Sequence, residues 1–317
     1  MSARPCMCGS GTICSRPPGR WKVFLQQMVN GLTIGSTYAL VTIGFTMIYG
    51  ILELTNFAHS SFYMLGAYLT ITFMTMMRAT PLAFFVALVL SVLVSGFLGS
   101  LMDRIALKVI RDRKGAAISA LLSTVGVQVF INSTILVVFG SETKHLPNVL
   151  GLPRYNFNGT IISGTQILII ITSILLMVIL SLIVYRTKIG SAMRAISQNV
   201  NAAKLMGINV NSVITITFFI AIAVSAIAGS LVAAYYQAVD IMMATSVGSK
   251  SFAAAVLGGM GSLPGAVLGG YLIGIVETLV AGYISSGYRD AIAFAILIIV
   301  LIVRPTGLFG QKNIGKV

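Results

Sequence analysis

The residues best suited to chemistry in this 317-residue chain are three cysteines near its start. Cys6, Cys8 and Cys14 follow the spacing C-x-C-x5-C, and thiolates so close in sequence can bind a metal ion. A tetrahedral site needs a fourth ligand, and the surrounding segment, rich in Gly, Pro and Ser, offers none nearby. We therefore expect neither a metal site nor a cofactor, and we expect residues 1–21 to be a disordered leader.

The rest of the chain offers no catalytic set of residues. It has two histidines, no cysteine beyond Cys14, and neither the H-E-x-x-H nor the G-x-S-x-G motif of hydrolases. The ATP-binding motif G-x-x-x-x-G-K-[ST] is absent as well. We expect a protein that is not an enzyme, and any ATP hydrolysis that it uses must come from another chain.

The composition points to a membrane protein. Hydrophobic residues make up 57% of the chain and charged residues only 9%, against about 25% charged in globular proteins. Most runs without Asp, Glu, Lys or Arg exceed the roughly 20 residues that cross a bilayer. These runs cover residues 23–52, 54–77, 79–102, 115–141, 155–185, 205–239 and 251–276. The pattern predicts an all-α, polytopic transmembrane bundle of about eight hydrophobic segments.

Basic residues set the expected orientation. The net charge is +14, but Lys and Arg lie mainly at the ends of apolar runs, so we expect a lipid bilayer and no nucleic acid as partner. The basic clusters in residues 103–114, 186–204 and 304–316 are predicted to be cytoplasmic, together with Arg16, Arg20 and Lys22. We therefore expect a transmembrane domain of residues 22–310, with a cytoplasmic loop at 186–212, and a cytoplasmic tail at 311–317. The mixed loop 141–154 then lies outside.

Because both ends of the chain and the basic clusters are predicted to be cytoplasmic, each half should cross the membrane an even number of times. Three apolar runs precede Asp103. One apolar run in each half should therefore not cross. Residues 51–77 contain LTNFAHSSF before LGAYL, and residues 251–283 contain GGMGSLPG before LGGYL. The second break is marked by Gly258, Gly259, Gly261, Pro264 and Gly265. A polar or Gly/Pro interruption of an apolar run is typical of a broken or re-entrant helix. We predict two pseudo-symmetric halves of opposite topology, each with one such helix.

Polar residues within the apolar runs are candidates for a translocation pathway, because polar groups at membrane depth tend to face the bundle interior. The candidates are Asn56, His59, Ser60, Gln128 and Asn132. His59 is either a proton-linked residue or a hydrogen-bonded packing residue. Gln128 and Asn132, four residues apart, either line a pathway or join helices. We expect Asp240 at the outer surface, Glu277 near a span end or paired inside, and Arg289 and Asp290 among the headgroups.

The stretch TKIGSAMRAISQNVNAAKLMGIN at residues 187–209 is the least apolar part of the chain after its midpoint. Its apolar residues recur at helical spacing, while Arg194 and Lys204 occupy other positions, so the stretch predicts a short amphipathic helix that stops at Gly207. Such a helix either lies on lipid headgroups or docks onto another protein.

Three blocks of this sequence resemble the permeases of branched-chain amino-acid ABC transporters, specifically the smaller permease subunit. They are FLQQMVNGLTIGSTYALVTIGFTMIYGILELTNFAHSSFYMLGAYLT (24–70), KIGSAMRAISQNVNAAKLMGINV (188–210) and KSFAAAVLGGMGSLPGAVLGGYLIGIVE (250–277). Residues 202–207 resemble the A-A-x-x-x-G core of the coupling loop in bacterial ABC importers, with Asn201 in place of its usual acidic residue. The resemblance implies ATPase-coupling roles for Ser191, Arg194, Asn201, Ala202, Ala203, Lys204 and Gly207.

That resemblance implies a subunit in the bacterial inner membrane that imports branched-chain amino acids by alternating access. Its implied partners are a second permease, most simply as a heterodimer, two cytoplasmic ATPase subunits and an extracytoplasmic binding protein. Urea and short-chain amide permeases are siblings of this family and offer one alternative. A gradient-driven secondary transporter, which also uses broken helices, is another, and a channel or structural membrane protein is a third.

Overall fold

The computed structural model describes residues 20–77, 80–113, 115–146, 151–157, 160–304 and 306–310, and within these residues the chain is mainly helical. The helices are α1 Arg20–Leu52, α2 His59–Met76, α3 Pro81–Met102, α4 Lys108–Asp112, α5 Ala117–Phe139, α6 Gly164–Arg186, α7 Lys188–Gln198, α8 Val200–Leu205, α9 Val210–Tyr236, α10 Met242–Gly258, α11 Leu263–Tyr283 and α12 Arg289–Val303. A π-helical turn, Asp103–Leu107, joins α3 to α4, and a 3-10 turn, Ser286–Tyr288, precedes α12.

The strands are short and lie in the connections. β1 (Lys144–His145) pairs antiparallel with β4 (Ala238–Val239), and β2 (Arg154–Phe157) pairs antiparallel with β3 (Thr160–Ser163). Within the described residues, seven helical segments are long and apolar enough to cross a membrane. They are Trp21–Leu52, Pro81–Asp112, Ile118–Phe139, Gly164–Arg186, Val210–Tyr236, Leu263–Tyr283 and Ser286–Val303. The prediction of a polytopic helical bundle is confirmed.

Small residues let the central helices pack closely. A Cβ atom on Gly270 of α11 would lie 2.5 Å from the Cα atom of Ala39 in α1, and one on Gly66 of α2 would lie 2.6 Å from the Cα atom of Ala226 in α9. Such backbone approach is how helices associate where lipid removes the hydrophobic driving force. α1 and α11 therefore form one tightly packed pair, and α2 with α9 another.

The bundle has two ends. We call one the hairpin end, after the β2–β3 hairpin, and the other the coupling end, after the predicted coupling loop at residues 186–212. At the hairpin end, Gln26 near the start of α1 bonds the backbone of Ile161 in the β2–β3 hairpin through both its amide nitrogen and its amide oxygen. At the coupling end lie the C-terminus of α1, the helices α7 and α8, and the connection between α10 and α11. The segment after α12 also lies there, because the Leu308 N–H donates to the carbonyl of Leu257.

The start of α1 and the end of α12 therefore lie at opposite ends of the bundle. The prediction that Arg20 and Lys22 lie on the same side as loop 186–212, and the even number of crossings derived from it, are wrong. The positive-inside bias is a sum over loops, so the larger clusters at 103–114 and 186–204 outweigh two residues at the head of α1. The structure places Arg20 and Trp21 in the first turn of α1, and Arg16, the rest of the predicted leader and the tail 311–317 lie outside the described residues.

Both predicted breaks interrupt helices. The chain leaves α1 at Leu52 and begins α2 at His59, whose ring lies against Gly44. Gly44 is eight residues before the end of α1, about 12 Å along the helix, so the connection turns back into the bundle as a re-entrant segment. The motifs LGAYL and LGGYL, on α2 and α11, both run from the coupling end towards the hairpin end. The predicted opposite topology of this repeat is therefore wrong.

Candidate functional site

The predicted coupling loop, residues 186–212, forms two helices where one was predicted. α7 begins at Lys188 with Thr187 as its cap, whose side chain accepts a hydrogen bond from the Gly190 N–H. Asn199 is extended and ends α7, and its side-chain oxygen accepts from the N–H groups of Asn201 and Ala202, so that it caps α8. An Asn at this position favours a new helix start over continuation of the old one.

α7 is seated firmly on the bundle. Its apolar face, with Met193 and Ile196, is buried. On its exposed side the Arg194 guanidinium donates to the carbonyl of Val184 at 2.8 Å and to Ser191 Oγ at 3.3 Å. The same guanidinium lies 5.7 Å from the centre of the Tyr185 ring. Arg194 therefore satisfies a free carbonyl at the end of α6 and fixes α7 to that helix.

α8 presents a small exposed tip. Ala203 is buried against the core, whereas Asn201, Ala202 and Lys204 are exposed. Gly207 has φ +79°, a left-handed conformation that suits glycine and ends the helix. The two residues before it, Leu205 and Met206, are 89% and 82% exposed. Sequence reasoning missed these two, although adjacent large apolar residues in a polar loop were a usable signal.

The second predicted break lies beside α7. α10 ends at Gly258, Gly259 and Gly261 have φ +99° and +92°, and Pro264 stands in the first turn of α11. Ser262 Oγ accepts from the Gly265 N–H and caps α11. The segment Thr306–Gly310, which we call the strap, crosses this break. Its Leu308 and Phe309 N–H groups donate to the last carbonyls of α10, those of Leu257 and Gly258.

An open cavity of about 570 Å³ connects these elements at the coupling end. One wall comes from the end of α1, with Tyr49, Gly50 and Glu53, and another from Tyr185 of α6 and Ser197 of α7. The strap and the break, with Met260, Gly261 and Ser262, complete the cavity. A smaller cavity separates Met193 and Arg194 of α7 from Gly261 and Leu263. α7 contacts α6, α1 and α9 directly, and it faces the start of α11 across this smaller cavity.

The candidates around the first break are buried and mostly engaged in local contacts. Asn56 Oδ1 accepts from the Ala58 N–H, and its Nδ2 has no partner among the residues described. His59 Nε2 lies 3.2 Å from the carbonyl oxygen of Val41, and its ring centre is 4.5 Å from that of Phe45. Ser60 Oγ donates to the carbonyl of Phe57. This enclosure favours the packing interpretation of His59.

The candidates on α5 lie at its contact with α2. Asn132 Oδ1 accepts a hydrogen bond from Ser61 Oγ at 2.7 Å, which joins the two helices. Gln128, one turn earlier on α5, is half-buried. For Asn132 the geometry supports the helix-joining alternative, since its acceptor is already used within the bundle.

A buried group of charges was the largest omission of the sequence reasoning. The Lys250 ammonium of α10 lies 2.8 Å from Glu277 Oε1 of α11 and 2.7 Å from Asp290 Oδ1 of α12. Arg289 Nε is 3.5 Å from the same Glu277 oxygen. Glu277 thus pairs inside the bundle, while Asp240 caps α10 at the hairpin end through the Met243 N–H. A lone lysine within an apolar run, with a lone glutamate on the next helix, was the available signal.

None of these groups forms a metal site. Within the described ranges, no three His, Cys, Asp or Glu side chains lie close enough to hold an ion. Cys6, Cys8 and Cys14 lie outside those ranges, so the prediction about them stays a prediction.

Comparison with known proteins places these features in a family. Residues 27–301 match the family model described as branched-chain amino acid transport system / permease component. The chain is 39% identical over 303 residues to the high-affinity branched-chain amino acid transport system permease protein BraD of Pseudomonas aeruginosa, which covers 93% of this chain and 98% of BraD. It is 38% identical over 309 residues to the permease protein LivH of Escherichia coli, with the same coverage.

A more distant relative and one solved structure complete the comparison. The probable branched-chain amino acid transport permease LivH of Methanocaldococcus jannaschii is 27% identical over 290 residues, covering 86% of this chain and 88% of that protein. PsaBC from Streptococcus pneumoniae in complex with Fab covers 91% of this chain and 93% of its own, at 12% identity and a TM-score of 0.45. From the family match and the relatives above 30% identity, the chain belongs to the branched-chain amino acid transport permease family.

Proposed function

We propose that this chain is one of two permease subunits of an ABC importer and moves branched-chain amino acids into the cell by alternating access. The observation that carries the proposal is the pairing of a firmly seated helix, α7, with an exposed apolar tip, Leu205 and Met206, beside the α10–α11 break. The substrate follows from the names of the relatives, which are branched-chain amino acid permeases.

The tip is suited to docking because two large apolar side chains exposed to water gain free energy on burial, by about 1.5–3 kcal/mol each when burial is complete. The partner is an ATPase subunit with a groove for α8. Lys204, exposed on the same helix, adds a positive charge beside the apolar contact. Asn201, Ala202 and Gly207 fix the position of the tip through the cap and the turn.

Coupling then follows from rigid contacts. Closure of the ATPase subunits displaces α8, and Asn199, which ends α7 and caps α8, passes that displacement to α7. The Arg194 bond to the Val184 carbonyl passes it on to the end of α6. α7 packs against α1 and faces the first residues of α11 across a small cavity. Because α1 and α11 pack backbone to backbone, they move as a unit, and the glycines of the break absorb the change in direction.

The second permease and the binding protein bind to surfaces that are exposed in the single chain. Three spans are mostly exposed in the single chain: Ile118–Phe139, Gly164–Arg186 and Ser286–Val303. A second permease subunit covers part of this surface and completes the pathway, and the binding protein docks at the hairpin end. Asn56, with its unsatisfied buried amide nitrogen, is the strongest pathway candidate, followed by Gln128.

Uptake in cells tests the proposal. The chain is expressed with its neighbouring ATPase, permease and binding-protein genes in a bacterium that lacks its own branched-chain amino acid uptake. We expect saturable uptake of labelled leucine, isoleucine and valine that is lost when the ATPase genes are omitted. Uptake of labelled urea or acetamide in place of leucine contradicts the proposed substrate. Leucine uptake that persists without the ATPase genes contradicts the ABC mechanism and supports a gradient-driven carrier.

A further inference from the structure

A groove of about 310 Å³ opens on the outer surface of the bundle between α3 and α9, near the coupling end. Phe97 and Leu101 of α3 form one wall, and Ile216 and Phe219 of α9 form the other. Phe97 is 64% exposed, so the groove is open along its length to the surroundings of the bundle. Both helices belong to membrane spans, and those surroundings are therefore lipid.

The groove forms because α3 and α9 are close together at one position along their length and lie further apart beyond it. Gly96 and Gly99 of α3 let Phe219 and Ile222 of α9 approach, and a Cβ atom on Gly96 would lie 2.9 Å from the Phe219 ring. After Gly96 and Gly99, α3 ends and the wider π-helical turn Asp103–Leu107 begins. Such turns inside helices often accompany functional sites.

In the π-helical turn, the acidic Asp103 lies inside the bundle and the basic Arg104 lies at the groove. Asp103 is buried, accepts a hydrogen bond from Thr215 Oγ1 at 2.7 Å and pairs with Arg111 at 3.3 Å. The next residue, Arg104, is exposed and lines the groove. Neither Arg104 nor Lys108, one turn further on, has a side-chain partner among the residues described. The mouth of an apolar groove therefore carries one cation, Arg104, whose charge no group in the described part of the chain neutralises.

We propose that this groove binds an anionic phospholipid, with one acyl chain between Phe97, Leu101 and Ile216 and the phosphate against Arg104. The ligand must combine a long apolar chain with a negative headgroup, and it must reach the site from within the bilayer. The coupling end carries the basic clusters that mark the cytoplasmic side, and the cytoplasmic leaflet is the one rich in anionic lipid. A cation near such a surface contributes about 1 kcal/mol, which is about fivefold in relative binding.

Quenching by brominated lipids tests the site in the purified chain with whatever subunits accompany it. This chain has a single tryptophan, so Trp21→Phe combined with Phe97→Trp places its only tryptophan at the groove. The signal of any accompanying subunits is subtracted with the same preparation carrying Trp21→Phe alone. We expect brominated phosphatidylglycerol to be preferred over brominated phosphatidylcholine by about fivefold or more at this reporter. Arg104→Gln should lower the preference by about fivefold, whereas Arg113→Gln, an exposed arginine of the same segment outside the groove, should leave it unchanged.

A second reporter separates the groove from ordinary lipid contact. Ile174→Trp in the Trp21→Phe background lies on the exposed face of α6, and we expect no lipid preference there. Equal quenching by both lipids at Phe97→Trp overturns the proposal, and so does an equal effect of Arg104→Gln and Arg113→Gln. If Arg104→Gln keeps the lipid preference but loses an accompanying subunit, the surface binds protein and the proposal is wrong.

Discussion

The Lys250 ammonium lies 2.8 Å from Glu277 Oε1 in the interior of the bundle, and both side chains are almost fully buried. Lys250 also reaches Asp290, which is 62% exposed at the start of α12, so one ammonium joins three helices. Removing two charges from water costs several kcal/mol per ion, and their attraction offsets that cost only when the geometry is good. Each of the two buried charges therefore needs the other to offset the cost of its removal from water.

Loss of one partner should be far more damaging than loss of both. Lys250→Met removes the nearest partner of the buried Glu277 and leaves it only Arg289, at 3.5 Å and partly exposed. We expect this to lower the free energy of unfolding by up to about 3 kcal/mol, the lower end of the cost of breaking a buried pair. The double variant Lys250→Met with Glu277→Leu should recover most of this loss. Thermal unfolding in detergent measures the effect, with Lys22→Met, an exposed lysine, as the control. A double variant less stable than Lys250→Met would show that the charges stabilise the bundle in their own right.

Two glycines of the α10–α11 break form a matched pair for a second prediction. Both have positive φ, but a Cβ atom on Gly261 meets open space, whereas one on Gly259 would collide with the backbone of Gly310 in the strap. Gly261→Ala should cost roughly 1–2 kcal/mol for backbone strain alone. Gly259→Ala should cost more, because the strap must move away. Melting temperatures of the two variants test this ranking, and equal values would mean that the strap does not press on the break.

A third prediction concerns the role of His59. Its Nε2 contacts the Val41 carbonyl and its ring is enclosed by Phe45 and Gly44, so the side chain serves packing and one hydrogen bond. His59→Gln keeps a donor for that carbonyl and should retain leucine uptake at a stability cost of about 1 kcal/mol. The matched control is His145→Gln, in β1 at the hairpin end. Abolished uptake by a His59→Gln chain that inserts and folds normally would instead indicate a proton-linked role.

Local composition was sufficient to predict the class of the protein. Apolar runs and sparse charge predicted the helical bundle. The three quoted blocks predicted the permease family, and with it a transport component rather than an enzyme. These predictions are confirmed by the spans and by the relatives, which also support a multi-pass inner-membrane protein. Each depends on residue types over a stretch of chain, which a single sequence records directly.

Predictions that depended on how helices are arranged fared worse. The direction of α1 was assigned from Arg20 and Lys22, but the orientation of a bundle is set by the sum of its loops. The ion pair of Lys250 and Glu277 was missed because the residues stand on different helices and meet only after packing. Similarly, the ATPase-coupling role of Arg194 stays a prediction, whereas its bond to α6, which no local pattern reveals, is seen only in the structure.

The most direct test of the coupling role is co-purification of the ATPase subunit with variants of the α8 tip. Leu205→Ser with Met206→Ser changes two highly exposed side chains, so the fold should be unaffected, while a docking contact of this type should weaken by about tenfold or more. The control is Met242→Ser, an equally exposed apolar residue at the start of α10. We predict that the ATPase accompanies the native and Met242→Ser chains and is lost from the double variant at unchanged expression and melting temperature. Retention of the ATPase by the double variant would contradict docking through this tip.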